Sequence, residues 1–153
     1  MDITGFFKPD SDPPTAFYFS VLFIGMDTIE TSFQEVSGLK ATFGIEDKTE
    51  GGENRFVHRF PNPPTNTDLV LKRCLVPNSK LDDWCRRAFN DFEFSPRDIH
   101  ISLLGAGKKK ILASWNVFHA FPLSWELSAL NSTSNQLAIE TLTLKYRHFK
   151  RTI

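Results

Sequence analysis

The chain has 153 residues, with 18 Lys and Arg balancing 18 Asp and Glu, 41 % hydrophobic residues and 15 phenylalanines. That length buries roughly 68–70 % of the surface an unfolded chain exposes, enough for a core without disulfide or metal staples. Zero formal charge removes the overall pull of a nucleic-acid binder or peripheral membrane protein, and no apolar run reaches the roughly 18–20 residues of a bilayer span, so no membrane anchor is expected.

The start, Met1-Asp2-Ile3-Thr4-Gly5-Phe6-Phe7-Lys8, lacks the cationic opening and long apolar stretch of a secretory signal, so synthesis in a cytoplasm is expected. Pro13-Pro14 oppose helix and ladder alike and set off residues 1–14 as an N-terminal arm. Residues 15–153 read as a single domain ending in a basic C-terminal tail, 145–153. From 17 to 24 the chain alternates, with Phe17, Phe19, Val21 and Phe23 on one side and Tyr18, Ser20, Leu22 and Ile24 on the other. This predicts a strand apolar on both faces, which more than one sheet surface must cover. The same period predicts strands at 39–45, 55–60, 68–73, 98–104, 111–118 and 137–146, with Gly51-Gly52 and Gly105-Ala106-Gly107 as hairpin connections. Between 79 and 90 the period changes: Leu81, Trp84, Cys85, Ala88 and Phe89 recur at helical spacing. Ser79 is placed to cap that helix, Asp82 and Asp83 suit its positive end, and Arg86 and Arg87 fall on the solvent side. The expected fold is mainly β, with one amphipathic α-helix over a sheet opening or edge.

No constellation writes catalysis. His58, His100, His119 and His148 stand apart from one another and from cysteines at zinc-ligand spacing, so no metal is expected. Cys74 and Cys85, eleven positions apart, suit free thiols in a reducing compartment, Cys85 as a small core residue. Gly105-x-Gly107-Lys108 lacks phosphate-loop spacing and lies between strands, and Lys108-Lys109-Lys110 reads as a solvated loop tip. With no GxSxG and no triad logic, no catalytic or cofactor-binding residue is expected, and the chain reads as a non-enzyme. The run Lys145-Tyr146-Arg147-His148-Phe149-Lys150-Arg151 holds four full positive charges, no acid and two aromatics. Two readings follow: docking on an acidic protein neighbour, favoured because the rest of the chain carries the compensating negative charge, or a monomeric β-barrel module binding nucleic acid through this tail.

Ser32-Phe33-Gln34-Glu35-Val36-Ser37-Gly38-Leu39, Glu50-Gly51-Gly52-Glu53-Asn54 and Leu69-Val70-Leu71-Lys72-Arg73 resemble the tail-tube protein family of contractile phages and phage-tail-like contractile injection systems. Trp84, Ile101-Ser102-Leu103-Leu104, Trp115-Asn116-Val117, Ala120-Phe121-Pro122, Trp125 and Ala138-Ile139-Glu140-Thr141-Leu142 continue the likeness in order, so that it spans about residues 17 to 147. Cys74 in place of Gly, Gly105-Ala106 in place of Asn-Glu, and the proline-rich Pro61-Asn62-Pro63-Pro64 depart from the family pattern.

The resemblance implies two packed antiparallel sheets forming a small β-barrel-like domain with one flanking helix, about 79–90. It implies a structural subunit of an inner tube, bulk or baseplate-proximal initiator, that forms stacked homo-hexameric rings around a lumen. Implied partners are other tube or initiator rings, sheath, baseplate hub and spike, and the final location is a phage tail or phage-tail-like particle. Contacts between subunits or stacked rings are expected at Glu46, Lys48, Glu50, Glu53, Asn54 and Arg55 on an extended hairpin, and at Lys145, Arg147, Lys150 and Arg151. The segment 33–39 takes an architectural part, core strand and turn, with Gly38 required by the backbone.

Overall fold

The computed structural model describes residues 18–26, 29–30, 33–48, 51–52, 57–105, 110–133 and 135–153; the arm 1–14 and residues 106–109 lie outside them. In chain order the elements are β1 (Phe19–Phe23), β2 (Ile29–Glu30), β3 (Phe33–Ser37), β4 (Ala41–Lys48), β5 (His58–Asn66), β6 (Leu69–Cys74), α1 (Lys80–Asn90), β7 (Arg97–Leu104), β8 (Ile111–Leu127), β9 (Ile139–Lys145) and β10 (His148–Arg151). All strand pairings among them are antiparallel.

The 17-residue β8 belongs to two sheets. Its first part ladders with β7 on one edge and β10 on the other, and its last part ladders with β9. One sheet therefore runs β2-β1-β7-β8-β10 and the other β8-β9-β6-β3. The strand changes sheets at His119, whose φ is 59° and whose N–H donates to Asp98 Oδ1 at 2.9 Å. At the same level the partner ribbon breaks between β9 and β10, and Arg147 N–H donates to the Phe118 carbonyl at 3.0 Å.

Both sheets turn an apolar face to one core. Val21, Phe23, Ile99, Ile101 and Val117 from the first meet Leu69, Leu71, Leu142 and Leu144 from the second, none more than 3 % exposed. Each such side chain contributes about 1.5–3 kcal/mol by leaving water. Phe23 of β1 reaches Phe33 of β3 at a ring-centroid distance of 6.3 Å, so the sheets curl toward a barrel. No ladder joins β3 to β1 or β2 among the described residues. Helix α1 lies over this opening, with Trp84 edge-on to Phe23 at 5.8 Å and with Leu81, Cys85 and Ala88 buried. Ser79 caps it as expected, its hydroxyl accepting from Asp82 N–H at 3.1 Å.

Four differences from the sequence reading have physical reasons. The strand expected at 55–60 is β5, which runs on through Pro61, Pro63 and Pro64. A proline removes a ladder donor, but among the described strands β5 pairs only with β4, and a register shift between Phe43 and Ile45 absorbs the extra residue. The strand expected at 111–118 continues to Leu127 because the bend at His119 redirects it instead of ending it. Phe89, expected on the buried helical stripe, is exposed and lies against the Trp125 ring, while Tyr18 and Ile24 at the ends of the first strand stay exposed. Residues 148–151 of the basic run are strand β10, laddered from His148↔Phe118 to Arg151↔Trp115.

Gly38 ends β3 with φ 95°, and a Cβ there would stand 1.9 Å from the Asp68 carbonyl oxygen. Its own carbonyl accepts from Tyr146 Oη at 3.0 Å and Thr67 Oγ1 at 2.9 Å. Gly38→Ala is expected to destabilise the fold by about 2–3 kcal/mol, read as a lower urea midpoint; an unchanged midpoint contradicts the close approach.

Candidate assembly surface

Residues 41–48 and 58–66 alternate as strands do, yet neither β4 nor β5 ladders with any other described strand. Beyond the root, most of their side chains are exposed. Phe43, Ile45 and Phe60 are 63 %, 65 % and 51 % exposed. Cross-strand partners share a face, so Glu46 and Lys48 stand with Phe60 and His58 on one side, and Ile45 and Asp47 with Pro61 and Arg59 on the other. Lys48 Nζ lies 6.0 Å from the Phe60 ring centre, and Asp47 pairs with Arg59 at 3.4 Å. Both charges of that pair are solvated, so it adds little to stability. Of the expected contact residues on this hairpin, Glu46 and Lys48 are therefore placed; Glu50, Glu53, Asn54 and Arg55 lie outside the described residues.

The root of the hairpin is pinned by a segment some eighty residues away. Asn66 Nδ2 donates to the Arg147 carbonyl at 2.9 Å, Lys145 Nζ pairs with Asp68 at 2.8 Å, and Tyr146 holds Gly38. Burial, with the Asp68 charge second, pushes the Tyr146 hydroxyl above its ordinary pKa and keeps it a donor. Lys145 and Arg147 thus sit at the hairpin root. Lys150 and Arg151 do not join them: they lie farther along β10, toward Trp115, where Arg151 Nε donates to the Ile153 carbonyl at 2.7 Å. The aromatic exposures at Phe43 and Phe60 are missed by reading alternation as burial; the prolines beside them, unsuited to a central strand, are the available signal.

The family model for the T4-like virus tail tube protein gp19 matches residues 15–150. The chain belongs to that family. This tail tube protein is similar to a chain in the cryo-EM structure of the anti-feeding prophage (AFP) baseplate, 6-fold symmetrised, with 28 % identity, TM-score 0.81, and 93 % of this chain and 97 % of that chain covered. It is similar to a chain of the extended sheath–tube complex of the extracellular contractile injection system PVC, with 26 % identity, TM-score 0.79, and coverage of 92 % and 91 %. A chain of the AFP tube-terminating cap matches at 25 % identity and TM-score 0.81, covering 99 % of both chains. Among curated proteins no sequence match is found.

Beneath its surface the tail tube protein buries an ion pair. Arg73 and Glu140 are 1 % and 4 % exposed, and Arg73 Nε donates to Glu140 Oε2 at 2.7 Å. Arg73 Nη2 donates to Ser79 Oγ at 2.8 Å, Trp125 Nε1 donates to Glu140 Oε1, and the guanidinium stands 5.8 Å from the Phe33 ring centre. The pair joins β6, β9, β8, β3 and the start of α1. Burial, followed by the Glu140 charge, pushes the neighbouring Cys85 thiol up to about 12. Among the described residues no three His, Cys, Asp or Glu side chains gather as a metal site, and no helix is long and apolar enough to cross a membrane.

Glu140→Gln leaves the guanidinium without its countercharge and is expected to cost about 3–5 kcal/mol; Arg73→Met with Glu140→Leu together should cost less than Glu140→Gln alone, both read from urea midpoints. At pH 8 a thiol reagent should modify half-exposed Cys74 and spare Cys85 until denaturant is added; rapid reaction of both thiols in the folded protein contradicts the buried placement. Since the folded Cys85 value lies above the unfolded one, any stability it adds is present below pH 9 and is lost as pH climbs from 9 toward 12.

Proposed function

We propose that the chain is a structural subunit of the inner tube of a contractile phage tail or contractile injection system, a bulk tube protein or the initiator beside the baseplate. Six copies close into a ring, and rings stack around a lumen. The single observation that carries this is the β4–β5 hairpin, a ribbon of 8 and 9 residues that ladders with no other described strand and leaves Phe43, Ile45 and Phe60 exposed. Apolar surface displayed this way belongs to an interface. The 6-fold symmetrised AFP baseplate supports the ring number, and the similarity to sheath–tube, baseplate and cap chains supports sheath, baseplate and other tube rings as partners, with hub and spike the baseplate parts this reading adds.

In this reading Glu46, Lys48, Glu50, Glu53, Asn54 and Arg55 meet the next ring. Lys145 and Arg147 set the hairpin root, and Lys150 and Arg151 on the outer strand β10 border the neighbour within a ring. The role is architectural, without catalysis; synthesis and assembly take place in a cytoplasm before the subunit becomes part of a particle. The alternative of a nucleic-acid-binding tail loses support because β10 is laddered and Lys145 is paired with Asp68.

The full chain, concentrated or co-expressed with tail components, should give six-fold rings or tubes by negative-stain microscopy. A bulk subunit should extend into long tubes alone, an initiator should stop at rings, and a strict monomer under every condition defeats the proposal. Lys48→Glu should raise the concentration needed for stacking about tenfold while leaving the thermal midpoint unchanged, checked by sedimentation and calorimetry.

A further inference from the structure

Two guanidinium groups beside α1 stand without a carboxylate. Lys80 and Arg87 are seven residues apart on the helix, two turns or about 10.5 Å, and so share a face. Both line an open crevice of about 200 Å³, together with Arg97 at the start of β7 and Gly25 in the turn after β1. The loop that follows α1 adds Ser95, held in place by Trp84 Nε1, which donates to the Ser95 carbonyl at 2.8 Å. Asp83 is the one carboxylate among the described lining residues, and its Oδ1 already accepts from Arg86 Nη2. Arg97 is fitted to its position. Gly25 has φ 84°, and a Cβ there would stand 2.6 Å from Arg97 Nη1, so the missing side chain is what lets the guanidinium lie against the turn. Nη1 donates to the Ile24 carbonyl at 3.2 Å, while Nε is buried and has no hydrogen-bond partner. Among the described residues neither Arg87 nor Arg97 has a carboxylate partner. A buried guanidinium N–H normally finds an acceptor, and like charges drawn into one crevice repel each other.

We propose that this crevice binds a phosphate group. The donors around it come from separate elements: the Arg87 fork from α1, the Arg97 fork from β7, the Lys80 ammonium and the Ser95 hydroxyl. A carboxylate offers two oxygens in one plane, whereas a phosphate offers oxygens in several directions and up to two charges, which suits donors converging from different sides. The crevice is large enough for that group and open to solvent, so the rest of a phosphate ester can project outward. A phosphate held there relieves the repulsion among the cations, gives the guanidinium groups an acceptor, and ties α1 to β7 and to the turn after β1. None of these side chains is among the ring contacts assigned above, so the inference stands apart from the tube reading.

The test titrates inorganic phosphate into the full-length chain by calorimetry, in chloride buffers held at one ionic strength. One phosphate per chain is expected, with a rise in thermal midpoint that chloride at the same ionic strength does not give. Arg87→Gln, at an exposed helix position, should keep the fold and weaken phosphate binding about tenfold or more. Lys110→Gln removes an equal charge at the other end of β7 and should leave binding unchanged. Arg97→Lys keeps the charge but gives up the planar fork, and should also lose about tenfold. The same titration with ADP separates the sources of the group. Affinity no better than that of phosphate assigns the site to the free ion, and affinity about tenfold tighter that Arg87→Gln removes assigns it to a phosphate ester. No saturable binding of phosphate, or equal weakening by Arg87→Gln and Lys110→Gln, overturns the proposal.

Discussion

Two opposite charges removed from water together set the terms for the rest of the molecule. Arg73 and Glu140 are direct cross-strand neighbours in the β6–β9 ladder, and each makes a further hydrogen bond to a different element, Ser79 before the helix and Trp125 in β8. Neither partner can move away without stranding the other in an apolar interior. The helix start, the edge of the second sheet and the ring of Phe33 are therefore fixed relative to one another by one contact. A subunit built this way behaves as a block.

The hairpin is the complement of that block. Its root is held by Tyr146, Asn66 and the Lys145–Asp68 pair, while beyond the root it ladders with no other described strand. Folding energy is concentrated in the core between the sheets, while apolar side chains stay exposed at both ends of the second sheet. The division explains how apolar side chains as large as Phe43 and Leu130 remain uncovered in a chain that buries Phe23 and Leu69 completely.

Much of the core was legible from periodicity, because β1, β6, β7 and β9 each turn alternate residues inward and α1 repeats at helical spacing behind a serine cap. Alternation reports which residues share a face and is silent on where that face points, so Phe43 and Ile45 read like core residues. The continuation of β8 depends on Asp98 holding His119, a contact across 21 residues that no local pattern encodes. Strand β10 is polar and basic, and its pairing with β8 follows from the ribbon already set by β9 rather than from its own composition. Of the candidate contacts, charge and resemblance put Glu46 and Lys48 on the hairpin but read Lys145 only as part of a basic tail, and its pairing with Asp68 appears only in the fold. They grouped Lys150 and Arg151 with these because proximity in sequence hides the direction in which β10 runs. The Arg73–Glu140 pair was visible only as charge inside two apolar strands.

A ribbon with a free edge and exposed phenylalanines invites uncontrolled growth, since a stray strand can extend its ladder as readily as the intended neighbour can. Three of the nine residues of β5 are proline, and none of the three has an N–H to donate to a strand beside it. The imino acids that look like interruptions in a strand thus act as guards on it. Side-chain burial against a shaped surface is left as the more rewarding way to dock, which disfavours fibrous aggregation.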